Sequence, residues 1–162
     1  MRTQVGIVGA GPAGLMLSVL LRRAGIASVV LEDRSRAYIE NRVRAGLIEQ
    51  WVNDLLIEIG AGERLLRQGM VHDGIFLSAR GLLHHIDFRT LVDKGVTIYE
   101  QKEVVKDLVA KLLDDGGDIF FEVSDVSVDG VTTDAPVIRF RRHGEMQELA
   151  CDFIGGCDGF HG

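Results

Sequence analysis

The stretch Gln4-Val5-Gly6-Ile7-Val8-Gly9-Ala10-Gly11-Pro12-Ala13-Gly14-Leu15-Met16-Leu17-Ser18-Val19-Leu20-Leu21 decides the architecture. An apolar run ends at a glycine-rich turn, and a second apolar run follows at helical length, so the segment reads as strand, tight turn and buried helix. Arg22 and Arg23 complement the negative end of that helix, Gly25 suits a left-handed C-terminal cap, and Ala27 to Leu31 reads as a second buried strand. The order is βαβ, for which a right-handed crossover is expected.

Within this unit Gly9-x-Gly11-x-x-Gly14 follows a strand, opens a helix and is answered by Glu32 at the end of the second strand. That context makes the pattern specific for a dinucleotide. Gly9 permits the sharp turn, Gly11 lets the main chain approach a pyrophosphate, and Gly14 lets helix and strand pack closely, with Ala13 in the same turn. The helix N-terminus adds unpaired N–H groups and a positive dipole end, while Glu32 is placed to accept ribose hydroxyls. FAD and NAD share this fingerprint, so the motif alone does not choose between them.

The chain has 162 residues, 46% hydrophobic and 26% charged, which predicts one globular domain over 1–162 with a real core. Twenty glycines against two prolines favour tight turns over proline-rich or collagenous structure. A net charge of -6 argues against general nucleic-acid binding, and no apolar run is long enough to span a membrane. Without a signal pattern at Met1-Arg2-Thr3-Gln4, the expected location is the cytoplasm. Cys151 and Cys157 are too few for a metal cage or a disulfide framework and are expected to be free thiols.

Further along, Glu32 to Arg44 loses its apolar period and gathers arginines, which predicts a charged excursion before a helix beginning near Ala45 or Gly46. Leu47, Ile48, Trp51, Leu55, Leu56 and Ile59 recur at helical spacing, placing Trp51 in the core. Ile75-Phe76-Leu77 and Leu82-Leu83 flank Gly81 as a hairpin, and Val96 to Tyr99 is a strand. Val104, Val105, Leu108, Val109, Leu112 and Leu113 form a one-sided helical stripe closed by Gly116-Gly117. Ile119 to Val128, Ile138-Phe140 and Leu149-Cys151-Phe153 alternate as an antiparallel meander, with a bulge near Ser124-Asp125 and a turn at His143-Gly144. The glycine-rich end, Gly155 to Gly162, leads us to expect a continuation that is absent here.

Four more segments carry chemistry: Arg42-Val43-Arg44-Ala45-Gly46-Leu47-Ile48-Glu49-Gln50, Val71-His72-Asp73-Gly74, Tyr99-Glu100-Gln101, and Cys157-Asp158-Gly159-Phe160-His161-Gly162. Arg42 and Arg44 suit forked contacts to phosphate, although solvated arginines would look the same. Adjacent His84 and His85 would face opposite sides of a strand, which argues against a shared metal.

In order and spacing these segments resemble the N-terminal part of the 4-hydroxybenzoate 3-monooxygenase family of FAD-dependent aromatic hydroxylases, over essentially the whole chain. The resemblance implies a Rossmann-like α/β FAD-binding fold with a partly parallel sheet plus an antiparallel meander. It implies FAD, with Gly9, Gly11, Ala13, Gly14 and Glu32 around the ADP half. Arg42, Val43, Arg44, Ala45, Gly46 and Leu47 would run along the flavin and pyrophosphate, with Gln101 as a further contact and Asp158 in a second fingerprint. His72 resembles the family histidine that passes a phenol proton towards solvent, a task suited to imidazole.

The same resemblance implies NADPH or NADH as co-substrate. Asp33 departs from the basic residue of NADPH-specific members, while Arg34 and Arg36 lean towards NADPH. The expected reaction is hydroxylation of 4-hydroxybenzoate to 3,4-dihydroxybenzoate with O2, in a complete enzyme of which this chain is the FAD-binding portion and by itself inactive. A small aromatic substrate is the expected partner, not nucleic acid or membrane, and a homodimer stays open. The rival readings are a non-catalytic FAD or ADP module, an assembly fragment, and part of another phenolic-ring hydroxylase.

Overall fold

A computed structural model describes residues 1–160. In chain order the elements are β1 (Val5–Val8), α1 (Pro12–Arg23), β2 (Ser28–Leu31), α2 (Arg36–Asn41), β3 (Leu47–Glu49), α3 (Gln50–Glu58) and α4 (Glu63–Gln68). Then come β4 (Met70–His72), β5 (Gly74–Ala79), β6 (Leu82–Asp87), α5 (Phe88–Val92), β7 (Val96–Ile98) and α6 (Gln101–Asp114). The chain closes with β8 (Asp118–Phe120), β9 (Ser124–Asp129), β10 (Val137–Arg142), β11 (Glu145–Ala150) and β12 (Phe153–Gly156). Two compact units result, one from Met1–Arg42 with Leu108–Gly162 and the other from Val43–Asp107.

The first unit holds a parallel sheet in the order β12-β1-β2-β8 and an antiparallel sheet in the order β11-β10-β9. The expected mixed α/β fold, partly parallel with a meander, is what the chain forms. Strand β1 leads into α1 through Gly9, whose φ of 102° only glycine adopts readily. Pro12 sits at the start of α1, where its missing N–H costs nothing. Leu15, Ser18 and Val19 make the buried face of α1, and each fully buried aliphatic there contributes about 1.5–3 kcal/mol. The helix ends as its sequence foretold: Gly25 takes φ 75°, its N–H donates to Arg22 O, and the Ile26 N–H donates to Leu21 O in a Schellman pair.

Val29 and Leu31 of β2 share a core with Ile138 and Phe140 of β10 and with Val123, Leu149 and Cys151. The approach is tight at Gly6, where a Cβ would lie 2.6 Å from Cys151 Sγ and from Ile138 Cδ1. The β10–β11 turn at His143-Gly144 has positive φ at both residues, as a two-residue hairpin requires, and the ladder with β9 slips between Arg139 and Arg141 where Asp125 turns to φ 52°. Two expectations fail here. Ile119 lies in β8, which pairs parallel with β2, and Phe153 lies in β12, which pairs parallel with β1. Alternation along one strand does not reveal that the chain changes sheets, so the sequence pattern alone places both in the meander.

The second unit has a three-stranded antiparallel sheet, β3-β7-β4, and the separate hairpin β5-β6 turning at Arg80-Gly81. The helix expected from Ala45 or Gly46 begins at Gln50, because Leu47 to Glu49 pair with Ile98 to Val96 as a strand. The expected stripe therefore mixed strand and helix residues. With the helical phase set from Gln50, Asn53 and Leu56 turn inward. Trp51 is not core: it is 59% exposed, and its ring N–H donates to Glu49 Oε2 at 2.7 Å. The segment read as a charged excursion contains α2, capped by the Ser35 hydroxyl accepting the Tyr38 N–H.

Candidate functional site

In an open parallel sheet, ligands bind beyond the carboxyl ends of strands where the chain leaves in opposite directions. In the first unit β1 has β2 on one side and β12 on the other, and the chain leaves β1 towards β2. Gly9 follows β1, Glu32 follows β2 and Asp158 follows β12, so the three expected contacts share that edge of the sheet.

The three glycines differ in what surrounds them. A Cβ at Gly9 would strike the Cys157 main chain, and one at Gly14 would strike the Gly9 carbonyl. Both are held by packing, with the Cys157 N–H donating to Val8 O and the Gly9 N–H donating to Leu31 O, each at 2.7 Å. At Gly11 nothing lies within 4 Å of an added Cβ. Gly11 is also the cap of α1 and supplies no side-chain acceptor, and the first turn carries no acidic residue. Ala13 in that turn is exposed, and the positive end of the helix dipole lies behind it. The space beside Gly11 fits a pyrophosphate.

Glu32 is 8% exposed and fixes the turn from the other side. Its Oε2 accepts the Ala10 N–H at 2.7 Å and its Oε1 accepts the Arg34 N–H at 3.0 Å. Burial raises its pKa above the usual carboxylate value, the adjoining Asp33 carboxyl adds to the rise, and the two main-chain donors oppose it. Arg34 pairs with Asp33 at 3.3 Å and lies 5.5 Å from the Tyr38 ring, and Arg36 pairs with Glu40 at 2.6 Å. Asp158 is exposed, while His161 and Gly162 lie outside the described residues.

Arg42 ends α2 in the first unit and is exposed. Val43, Arg44, Ala45, Gly46, Leu47, His72 and Gln101 belong to the second unit. Arg42 and Arg44 enter no ion pair among the described residues, so neither charge is neutralised by a neighbour. Gly46 presses its main chain against that of Tyr99 and Glu100: an added Cβ would lie 2.5 Å from both Tyr99 O and Glu100 Cα, and the Tyr99 N–H donates to Gly46 O at 2.7 Å. Gln101, the first residue of α6, is thereby held two residues from the Gly46 loop's anchor.

Three residues that the sequence did not single out, Arg64, Glu103 and Asp107, surround Tyr99. The Tyr99 hydroxyl donates to Asp107 Oδ2 at 2.6 Å, and Arg64 Nε donates to Asp107 Oδ1 at 2.6 Å. Arg64 also pairs with Glu103 at 2.7 Å. Burial, helped by Asp107, drives the Tyr99 phenol far above its usual range, so it stays a donor. Arg64 and Asp107 are distant in sequence and neither sits in a motif, so no local signal announces them.

His72 lies exposed in β4, opposite Val96 of β7. His84 and His85 do occupy opposite faces of β6, and His85 stacks on Phe76 with ring centroids 4.4 Å apart. Cys151 and Cys157 are free thiols. Among the described residues no group of three His, Cys, Asp or Glu could hold a metal ion, and no helix is long and apolar enough to cross a membrane.

Strand, glycine turn, uncapped helix and acidic strand end define a dinucleotide-binding α/β protein. A family model described as FAD binding domain matches residues 2–162, and the chain belongs to that family. It is 42% identical over its whole length to p-hydroxybenzoate hydroxylase of Acinetobacter baylyi, and spans 40% of that protein. It is 40% identical over 91 residues to 6-methylpretetramide 4-monooxygenase of Streptomyces rimosus, covering 55% of this chain and 21% of that one. Among solved structures, p-nitrophenol 4-monooxygenase of Pseudomonas putida superimposes with a TM-score of 0.85 at 20% identity, over 99% of this chain and 42% of that one. Anhydrotetracycline hydroxylase of Streptomyces rimosus gives 0.83 at 25% identity, over 98% and 32%. The resemblance to FAD-dependent aromatic hydroxylases is borne out, and with it FAD as the cofactor of the family.

Proposed function

We propose that this chain is the FAD-binding portion of a flavoprotein monooxygenase that hydroxylates 4-hydroxybenzoate to 3,4-dihydroxybenzoate, using NAD(P)H and O2. The open cradle at Gly11, between two glycines fixed by packing and a buried Glu32, carries the cofactor part of this reading. The substrate is supported by the 42% identity to p-hydroxybenzoate hydroxylase, which runs the full length of this chain.

FAD, when bound, supplies the redox chemistry that takes a hydride from a nicotinamide and lets O2 oxidise a phenol ring. The protein's own residues bind and orient it. The N-terminus of α1 holds the pyrophosphate, Glu32 accepts ribose hydroxyls, and Arg42 and Arg44 bring unneutralised positive charge to phosphate oxygens. Gly46 and Gln101 contact the flavin side, and Asp158 closes the edge beside β12. The exposure of His72 supports its role as the outlet of a proton relay, since such a group must exchange with water. For the nicotinamide, the pairing of Arg34 with Asp33 and of Arg36 with Glu40 reduces the charge offered to a 2′-phosphate.

The test is FAD titration of the purified chain, followed by visible absorption after desalting, against Gly11→Val. The parent should retain flavin. The variant should lose it while keeping the parent's circular dichroism and melting temperature, because the added side chain enters open space. Equal flavin retention by the variant, or none by a folded parent, would reject the FAD site.

A further inference from the structure

We propose that Tyr99, Asp107 and Arg64 form a positioning network that fixes the Gly46 loop against the start of α6, and so sets the flavin-side contacts of a bound FAD. This rests on the reading of Gly46 and Gln101 as cofactor contacts.

Tyr99 works with both its main chain and its side chain. Its N–H holds the Gly46 carbonyl, and its own carbonyl lies flush against Gly46, leaving that loop no room to shift inward. A two-residue step then leads to Gln101. What keeps Tyr99 itself in place is the other end of the residue. The ring is 4% exposed, and the hydroxyl is tied to Asp107 within α6.

Asp107 uses both carboxylate oxygens, one for Tyr99 and one for Arg64. Arg64 in turn bonds the Glu103 carboxylate and donates from Nη2 to the Glu103 carbonyl at 3.1 Å, so α4 grips α6 at two successive turns. The side chains of Arg64, Glu103 and Asp107 are all less than one-third exposed, where charge-assisted bonds are less screened than at the surface. Plane-fixing contacts of this kind hold a binding loop in one geometry before the ligand arrives. The network touches only the second unit, whereas Gly9, Gly11, Gly14 and Glu32, which serve the ADP half, belong to the first.

That separation makes the role measurable with Tyr99→Phe, which removes one hydroxyl and keeps the ring. FAD affinity should fall about tenfold, the scale of one lost charge-assisted hydrogen bond, while ADP affinity stays at the parent's value. Amide hydrogen exchange over residues 44–48 should quicken in the apo chain. Asp107→Asn should act in the same direction, and the double variant should be no worse than Asp107→Asn alone, since both break one chain of bonds. FAD affinity unchanged in Tyr99→Phe would overturn the proposal. So would parallel losses of FAD and ADP, which mark a merely structural role. A folded parent that binds neither nucleotide would overturn the FAD reading itself, and the positioning role with it.

Discussion

Phe140 and Phe76 occupy six-residue strands, β10 and β5, yet the first is fully buried and the second is 64% exposed. The difference is one of layers. Strand β10 lies in the middle of the meander, with β9 and β11 on either side and the residues of β2 packed on its apolar face. Strand β5 has one neighbour, β6, and both faces of the pair are apolar: Leu77 and Leu82 point one way, and Phe76 and Leu83 the other. All four are exposed. A two-stranded hairpin is marginal by itself, so its order depends on how the rest of its unit supports it. The first unit, by contrast, closes its core within itself.

The contrast breaks most sharply on substitution of the buried ring. Phe140→Ala should cost about 3–5 kcal/mol, since the cavity would open between two sheets that cannot collapse onto it without shifting their ladders. Urea denaturation reads this directly. A loss below about 1 kcal/mol would mean that the sheets are not packed as closely as the Gly6 approach requires.

The surroundings of a carboxylate separate the two units as well. Glu32, in the first, accepts from the main-chain N–H groups of Ala10 and Arg34, and its pKa is raised, first by burial and then by Asp33. Glu103, in the second, has its pKa lowered, first by Lys106 and then by Arg64. A carboxylate raised on folding adds stability below its unfolded value, here about 4.5, and loses it as pH rises through the folded value. A lowered one adds stability above the unfolded value and loses it as pH falls through the folded value. From about pH 4 to about pH 7, the parent should therefore lose stability relative to Glu32→Gln and gain it relative to Glu103→Gln. Urea midpoints across that range test both signs. Trends of the same sign in the two variants would show that one of the carboxylates is not in the surroundings described.

What was legible in the sequence divides along the same line. The first unit is written in local signals. Gly9, Gly11 and Gly14, the cap at Gly25, the turn at His143-Gly144 and the bulge at Asp125 each follow from the backbone conformation a few adjacent residues permit. So the glycine turn could be read, and so could the acidic residue that ends β2 beside it. The second unit is written in pairings between distant residues. Leu47 to Glu49 form a strand only because Val96 to Ile98 lie beside them, and periodicity alone merged that strand with the helix after it. The Tyr99-Asp107-Arg64 network is of the same kind, because a tyrosine after a strand and an arginine in a short helix carry no sign that they will meet one carboxylate. In the first unit the misreadings at Ile119 and Phe153 have that cause too: sheet membership is a tertiary property, and alternation is not.

The smallest effect should come from the exposed hairpin, and it sharpens the comparison by its sign. Leu83 is 69% exposed, so Leu83→Lys removes little buried area and should change stability by no more than about 0.5 kcal/mol. An exposed apolar patch nevertheless promotes association, because covering it releases ordered water whether or not the contact is specific. The lysine places a charge in the middle of that patch, opposite Ser78, where any apolar partner surface would have to desolvate it. Binding of an apolar dye should therefore fall, and sedimentation velocity should show less concentration-dependent association than for the parent. A large loss of stability would instead mean that Leu83 is covered in solution, and that the second unit closes its core as completely as the first.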